Sequence, residues 1–277
     1  MVAASPLLSV GNLTVDYPSR TGLIRAVDGV SFSISAGSVL GVVGESGSGK
    51  SSVGFALMGL TDASKAVLGG TITFEGRDML TLSRSAWRQL RGDRIAMVFQ
   101  DAMATLNPVM RIGDQIGEVF RWHRPEMSRR AIRAACLELL ERVGIKDAGR
   151  RIDSYPHQLS GGMRQRVVIA AAIALKPSLL IADEPTTALD VTVQAQILEL
   201  MQTLCREQGT ALILVSHDLD VVSDVCRDVV VMKDGVVVEA GPVDDVLMNP
   251  QHAYTQILLK ARPGFGSGHM NTGAPHG

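Results

Sequence analysis

The feature that most narrows the folds open to this chain is the run Gly44-Glu45-Ser46-Gly47-Ser48-Gly49-Lys50-Ser51. It matches the pattern G-x-x-x-x-G-K-[ST], and its flanks give it meaning. The β-branched run Val39 to Val43 precedes it, and a helical pattern from Val53 to Leu60 follows. A strand that enters a helix through such a loop turns successive backbone N–H groups inward around a phosphate. The helix N-terminus adds the positive end of its dipole. In that arrangement Gly44 to Ser51, with Ser52 beside them, are expected to hold a nucleotide. Lys50 would reach the β- and γ-phosphates, and Ser51 would ligate Mg²⁺. The bland alternative, a glycine-rich turn with a chance Lys-Ser, does not explain the strand before and the helix after.

A second group of residues supplies the chemistry the loop lacks. Leu179-Leu180-Ile181-Ala182 is an apolar run that ends in Asp183-Glu184. A buried strand delivers such carboxylates to the C-terminal edge of a sheet, where open α/β sheets hold ligands. Asp183 is expected to hold Mg²⁺, and Glu184 to polarise an attacking water as general base. An acidic cap after a core strand would look the same in isolation. His217 follows the apolar run Ala211 to Val215, and Gln100 follows Ile95 to Phe99. The histidine is placed to reach a γ-phosphate, a water or Glu184; the glutamine, to reach Mg²⁺ and the water.

Along the chain, Leu8 to Val15, Val27 to Ile34, Val39 to Val43 and Thr71 to Phe74 read as short strands, suggesting an early β-rich portion. Residues 101 to 158 are expected to form a mostly helical insert. Ile112, Ile116, Val119 and Phe120 fall at helical spacing, as do Ile132, Cys136, Leu139, Leu140 and Val143. Ser128 is the expected N-cap of the second helix, and Gly144 its stop. Beyond it, strands alternate with a helix marked by Val193, Ile197, Leu200, Met201 and Leu204, the pattern of a sheet covered by helices. Val229 to Met232 and Val236 to Val238 flank Lys233-Asp234-Gly235, a hairpin signal. No internal repeat is visible.

The deciding segment is Leu159-Ser160-Gly161-Gly162-Met163-Arg164-Gln165-Arg166. With the pieces above, in this order, it resembles the signature motif of ABC transporter ATP-binding subunits. The resemblance covers about residues 7 to 262. Gly44 to Ser51 resembles Walker A, Leu179 to Glu184 Walker B, Gln100 the Q-loop glutamine and His217 the H-loop histidine. Thr187-Ala188-Leu189-Asp190 resembles the D-loop, with threonine where the family more often has serine. Tyr17 resembles the aromatic that stacks on adenine.

The resemblance implies an α/β P-loop NTPase of ABC type with a mixed-sheet core, an antiparallel β portion and the helical insert. It implies a domain over residues 1–263, with 264–277 read from composition as a disordered tail. It also implies ATP hydrolysis with Mg²⁺ in a two-subunit sandwich. There Ser160, Gly161, Gly162 and Asp190 of one subunit meet the nucleotide on the other. Asn107-Pro108, the run from Asp183 to Val191 and the tail Asn249 to Thr255 resemble the dipeptide, oligopeptide and nickel importer group. Met163 resembles one of two non-identical ATPase subunits, so the expected partner is a second, non-identical ATPase, with another copy of this chain as the alternative. Two transmembrane permease subunits and, indirectly, an extracytoplasmic solute-binding protein complete the expected assembly. The chain would sit peripherally at the cytoplasmic face of the membrane. The permease and the binding protein read the cargo, so this chain does not name it.

Composition agrees with that expectation. A net charge of −1 among 277 residues gives no basic stripe, so no nucleic-acid partner is expected. A DNA- or ribosome-acting relative would carry a coiled-coil or basic insertion, and a regulatory one would lack Glu184, His217 or the signature. A kinase or small GTPase would lack Leu159 to Met163. The N-terminal residues show no basic start to a signal peptide. The longest apolar stretch, Val167 to Ala182, is broken by Lys176 and Pro177 and falls short of the roughly 20 residues that span a bilayer. Cys136, Cys205 and Cys226 are widely spaced and read as buried reduced thiols, with neither a metal site nor an iron–sulfur cluster expected.

Overall fold

The structure, a computed structural model, describes residues 5–20, 22–61, 66–187 and 189–260. The expected tail 264–277, and Ala188 of the expected D-loop, lie outside the described residues. In chain order the elements are β1 (Leu8–Ser19), β2 (Gly22–Ile34), β3 (Val39–Val43), α1 (Lys50–Leu57), β4 (Val67–Phe74), β5 (Arg77–Asp78), α2 (Arg84–Leu90) and β6 (Ile95–Val98). Then come α3 (Ala102–Thr105), α4 (Ile112–His123), α5 (Arg129–Arg142), α6 (Ala148–Arg151), a 3₁₀ turn (Pro156–Gln158) and α7 (Gly161–Ala172). The chain continues through β7 (Leu179–Asp183), α8 (Val191–Gln208), β8 (Ala211–Ser216), α9 (Leu219–Val225), β9 (Asp228–Lys233), β10 (Val236–Pro242), α10 (Val243–Met248) and α11 (Ala253–Lys260).

Two sheets result. One is antiparallel, in the order β2-β1-β4-β5. The other runs β10-β9-β3-β8-β7-β6, parallel from β9 to β6 and closed at one edge by antiparallel β10. The expected mixed sheet and antiparallel portion are therefore both present. The central strands are apolar up to their C-terminal residues because both faces are covered. In β7, Leu180 and Ala182 point into the core beneath α4, α5, α7 and α8, while Leu179 and Ile181 point into the core shared with α1 and the antiparallel sheet. Truncating the fully buried Ile181 to alanine would cost about 2–5 kcal/mol on this account.

Local signals explain several boundaries. Ser128 Oγ accepts from the Ala131 N–H and starts α5, and Gly144 follows its C-cap at Val143. The β9–β10 hairpin turns through Asp234-Gly235, as expected. Other boundaries moved. β2 starts at Gly22, five residues before the expected Val27, because the β1–β2 pair runs outward past the core and leaves Leu23 and Ile24 exposed. α1 starts at Lys50 instead of Val53, since left-handed Gly49 serves as its N-cap. α7 starts at Gly161, directly after its cap Ser160. The short helices α2, α9, α10 and α11 carry too few turns for their periodicity to stand out. No described helix is long and apolar enough to cross a membrane.

Candidate active site

Four neighbouring strands end on one edge and deliver the site. β3 leads into the loop Gly44–Gly49, β6 into Gln100, β7 ends in Asp183 with Glu184 next, and β8 ends in Ser216 with His217 next. Register fixes their relative height: Val43 pairs with Ser216, Asp183 with Val215, and Ala182 with Val98. A cleft of about 620 Å³ opens there, lined by Glu45, Ser46, Gly47, Gly49, Lys50, Ser51, Ser52, Gln100, Glu184 and His217. Ala26 from β2 and Leu258 from α11 also line it.

The loop is tightly seated. Gly49 has φ +96°, and a Cβ there would lie 2.4 Å from the Ala26 carbonyl oxygen. At Gly44, a Cβ would lie 2.1 Å from the Met232 carbonyl oxygen. Neither position admits a side chain without moving backbone. The β9–β10 hairpin braces the loop from below: the Gly235 N–H donates to Ser48 O at 3.1 Å, and the Asp28 N–H donates to Gly235 O at 2.8 Å.

Lys50 is buried, and its Nζ donates to Gly44 O at 2.7 Å, to Glu45 O at 2.8 Å and to Ser48 Oγ at 3.4 Å. Burial lowers its pKa, while the nearby Glu184, Asp183 and Glu45 carboxylates oppose that shift. Ser51 Oγ donates to Asp183 Oδ1 at 3.1 Å. Burial raises the Asp183 carboxyl, against the lowering effect of the Ser51 hydrogen bond.

Glu184 is held from three sides. Gln100 Nε2 and Thr187 Oγ1 each donate to Oε2 at 3.0 Å, and His217 Nδ1 lies 3.3 Å from Oε1. Its backbone adopts φ +44°, and its N–H donates to Val215 O at 3.0 Å. A non-glycine residue in that conformation persists only where its surroundings enforce it, as happens at functional sites. The carboxylate is thus aimed at the mouth of the Lys50 loop and able to accept a proton there.

The remaining expected residues fall elsewhere. Tyr17 is half-buried and donates from its hydroxyl to Ser52 Oγ at 3.3 Å, beside the loop helix. Ser160 and Asp190 are N-caps. Ser160 Oγ accepts from the Met163 N–H at 3.3 Å, and Asp190 Oδ1 accepts from the Val193 N–H at 3.0 Å. Ser160, Gly161, Gly162 and Asp190 do not line the cleft of their own chain. An exposed helix start with Gly161 and Gly162 in its first turn nonetheless presents free N–H groups suited to an anion.

Residue-level reading missed three contributors. Ala26 approaches through sheet packing alone. Leu258 and Tyr254 arrive on α11, Tyr254 accepting from the Glu45 N–H at 3.0 Å across 209 residues.

The sequence model of the ABC transporter family matches residues 27–187. A protein of Brucella abortus (strain 2308), provisionally named for peptide import and ATP binding, is 53% identical over 259 residues, covering 94% of this chain and 78% of that protein. The dipeptide transport ATP-binding protein DppD of Haemophilus influenzae is 49% identical over 262 residues, covering 95% of this chain and 79% of the relative. Among solved structures, the dimeric ATP-binding cassette MJ0796, in a post-hydrolysis state bound to ADP and Pi, superposes with a TM-score of 0.76 at 29% identity. That match covers 85% of this chain and 98% of the other.

Proposed function

This chain belongs to the ABC transporter family, and from that premise we propose that it is the ATP-hydrolysing subunit of a peptide importer. ATP hydrolysis follows from the family and from the cleft's Gly44–Ser51 loop. Peptides are the proposed cargo class, supported by relatives named for peptide and dipeptide transport at about half identity.

In this reading the loop amides and Lys50 bind the β- and γ-phosphates, and Glu184 takes a proton from the attacking water. Gln100, Thr187 and His217 hold that carboxylate in place. Tyr17 supports the adenine end. Ser51 Oγ and Asp183 Oδ1 form a pair of hard oxygen donors, which suits Mg²⁺. The Gln100 amide oxygen joins them, its nitrogen being engaged by Glu184. Mg²⁺ would be held by these side-chain oxygens together with the substrate phosphates. When bound, Mg²⁺ neutralises charge on the phosphate oxygens.

Ser160, Gly161, Gly162 and Asp190 serve the nucleotide on a second, non-identical ATPase subunit. Their exposed placement at two helix starts supports that role. Two transmembrane permease subunits complete the proposed machine, with this chain peripheral at the cytoplasmic face of the membrane and residues 101–158 as the inserted helical subdomain that docks on them. A solute-binding protein would act on it indirectly. The domain is proposed to span 1–263.

The observation that carries the reading is the Glu184 carboxylate, fixed by Gln100, Thr187 and His217 at the mouth of the Lys50 loop. The test is reconstitution in lipid vesicles with a second ATPase subunit and two permease subunits from the same organism. ATP-dependent peptide uptake should be lost in Lys50→Ala; uptake that persists in that variant, or fails for every di- and oligopeptide in the parent, would refute it.

A further inference from the structure

Lys50 is linked to the far end of the chain through one peptide group. The carbonyl of the Gly44–Glu45 peptide receives the Lys50 ammonium at 2.7 Å, and the N–H of that same peptide donates to the Tyr254 hydroxyl at 3.0 Å. The bond from Lys50 to Gly44 O is the shortest of its three, and the one to Ser48 Oγ, at 3.4 Å, is the longest. Holding Gly44 O in place therefore holds Nζ at the inner rim of the loop, leaving its weakest hydrogen bond to be exchanged for a phosphate oxygen. A donor–acceptor chain through a peptide polarises each member, so the phenol strengthens the carbonyl that the lysine uses.

Tyr254 is itself fixed. It is 4% exposed, and Lys233 Nζ sits 5.1 Å from its ring centroid. The segment that leads into α11 is tied back to β10: the Glu239 carboxylate accepts the Gln251 N–H at 2.7 Å and the His252 N–H at 3.1 Å. Leu258, one turn after Tyr254, lines the same cleft.

We propose that Tyr254 is a positioning residue for Lys50, and that α11, anchored by Glu239, sets the lysine's pose for the nucleotide phosphates. This rests on the ATPase reading above. The test is steady-state MgATP hydrolysis and thermal melting of the full chain carrying Tyr254→Phe, which keeps the ring over Lys233 and removes only the hydroxyl. Loss of one neutral hydrogen bond should raise KM for ATP about fivefold, with kcat within about twofold of the parent and the melting temperature retained. Glu239→Ala, which touches neither the loop nor Lys50, should shift KM the same way. If Tyr254→Phe does not fold, Glu239→Ala decides alone. An unchanged KM, or a parallel fall in kcat and melting temperature with no KM split, would overturn the assignment. A parent chain with no ATPase activity even in the presence of the second ATPase subunit would instead sink the functional reading itself.

Discussion

His217 Nδ1 lies 3.3 Å from Glu184 Oε1, while the other carboxylate oxygen of Glu184 accepts from Gln100 and Thr187. One oxygen is thereby saturated, and the other faces a single exposed histidine. Glu184→Gln keeps the shape of this cluster and removes its basicity. ATP turnover should fall by about 10²–10⁴-fold, with nucleotide binding within about twofold of the parent. Undiminished turnover in a phosphate-release assay would remove Glu184 from the role of base.

Ser160 offers a way to separate stability from pairing. Aspartate caps helices as well as serine does, so Ser160→Asp should melt as the parent does. Its charge would repel a triphosphate presented by a second subunit. In the Glu184→Gln background, sedimentation should show ATP-dependent pairing for Ser160 and none for the aspartate variant. Pairing that survives would place the signature away from the nucleotide.

Asp183 predicts a pH-dependent trade between stability and activity. Burial raises its folded-state pKa above the unfolded value. Such a group adds stability only below the unfolded pKa, near 4, and that contribution is lost as pH rises through the folded pKa. At neutral pH the ionised carboxylate is therefore held at a cost. Asp183→Asn, still able to accept from Ser51, should melt about 2–4 °C higher at pH 7, the equivalent of about 1 kcal/mol. The gain should shrink toward pH 4, and hydrolysis should be lost. A variant that melts below the parent at pH 7 would contradict the burial argument.

The cysteines should be silent in the folded protein. Burial pushes the Cys136 thiol up to about 11, and Cys205 and Cys226 up to about 12. A chromogenic disulfide reagent at pH 8 should find none of the three in the native chain and all three in guanidinium. Prompt labelling of any one without denaturant would show that its helix opens locally.

Sequence reading reached the parts of the molecule whose cause is local. β3, β7 and β8 carry apolar runs up to their ends because both faces are covered, and the turn at Asp234-Gly235 and the cap at Ser128 are written in adjacent residues. The cluster around Glu184 was legible as strand ends, with His217 within expected reach of Glu184 but without the Gln100 and Thr187 contacts. That Gln100, Glu184 and His217 meet depends on β6, β7 and β8 being neighbours, which no single segment states. Tyr254 was out of reach altogether, since its partner Glu45 stands 209 residues away and the only hint was a family-like tail from Asn249 to Thr255. Ser160 and Asp190 look like ordinary helix caps in one chain, and the role proposed for them needs a second subunit.

The parallel pairing of β3, β8, β7 and β6 has a consequence for how errors show themselves. Each strand hands over its functional group at the residue where pairing stops, so the sheet works as a ruler with four pointers at its edge. A slip of one position along any strand would shift its pointer by about 3.3 Å and swap which face each side chain occupies. A misregistered molecule would therefore be both unstable and inert.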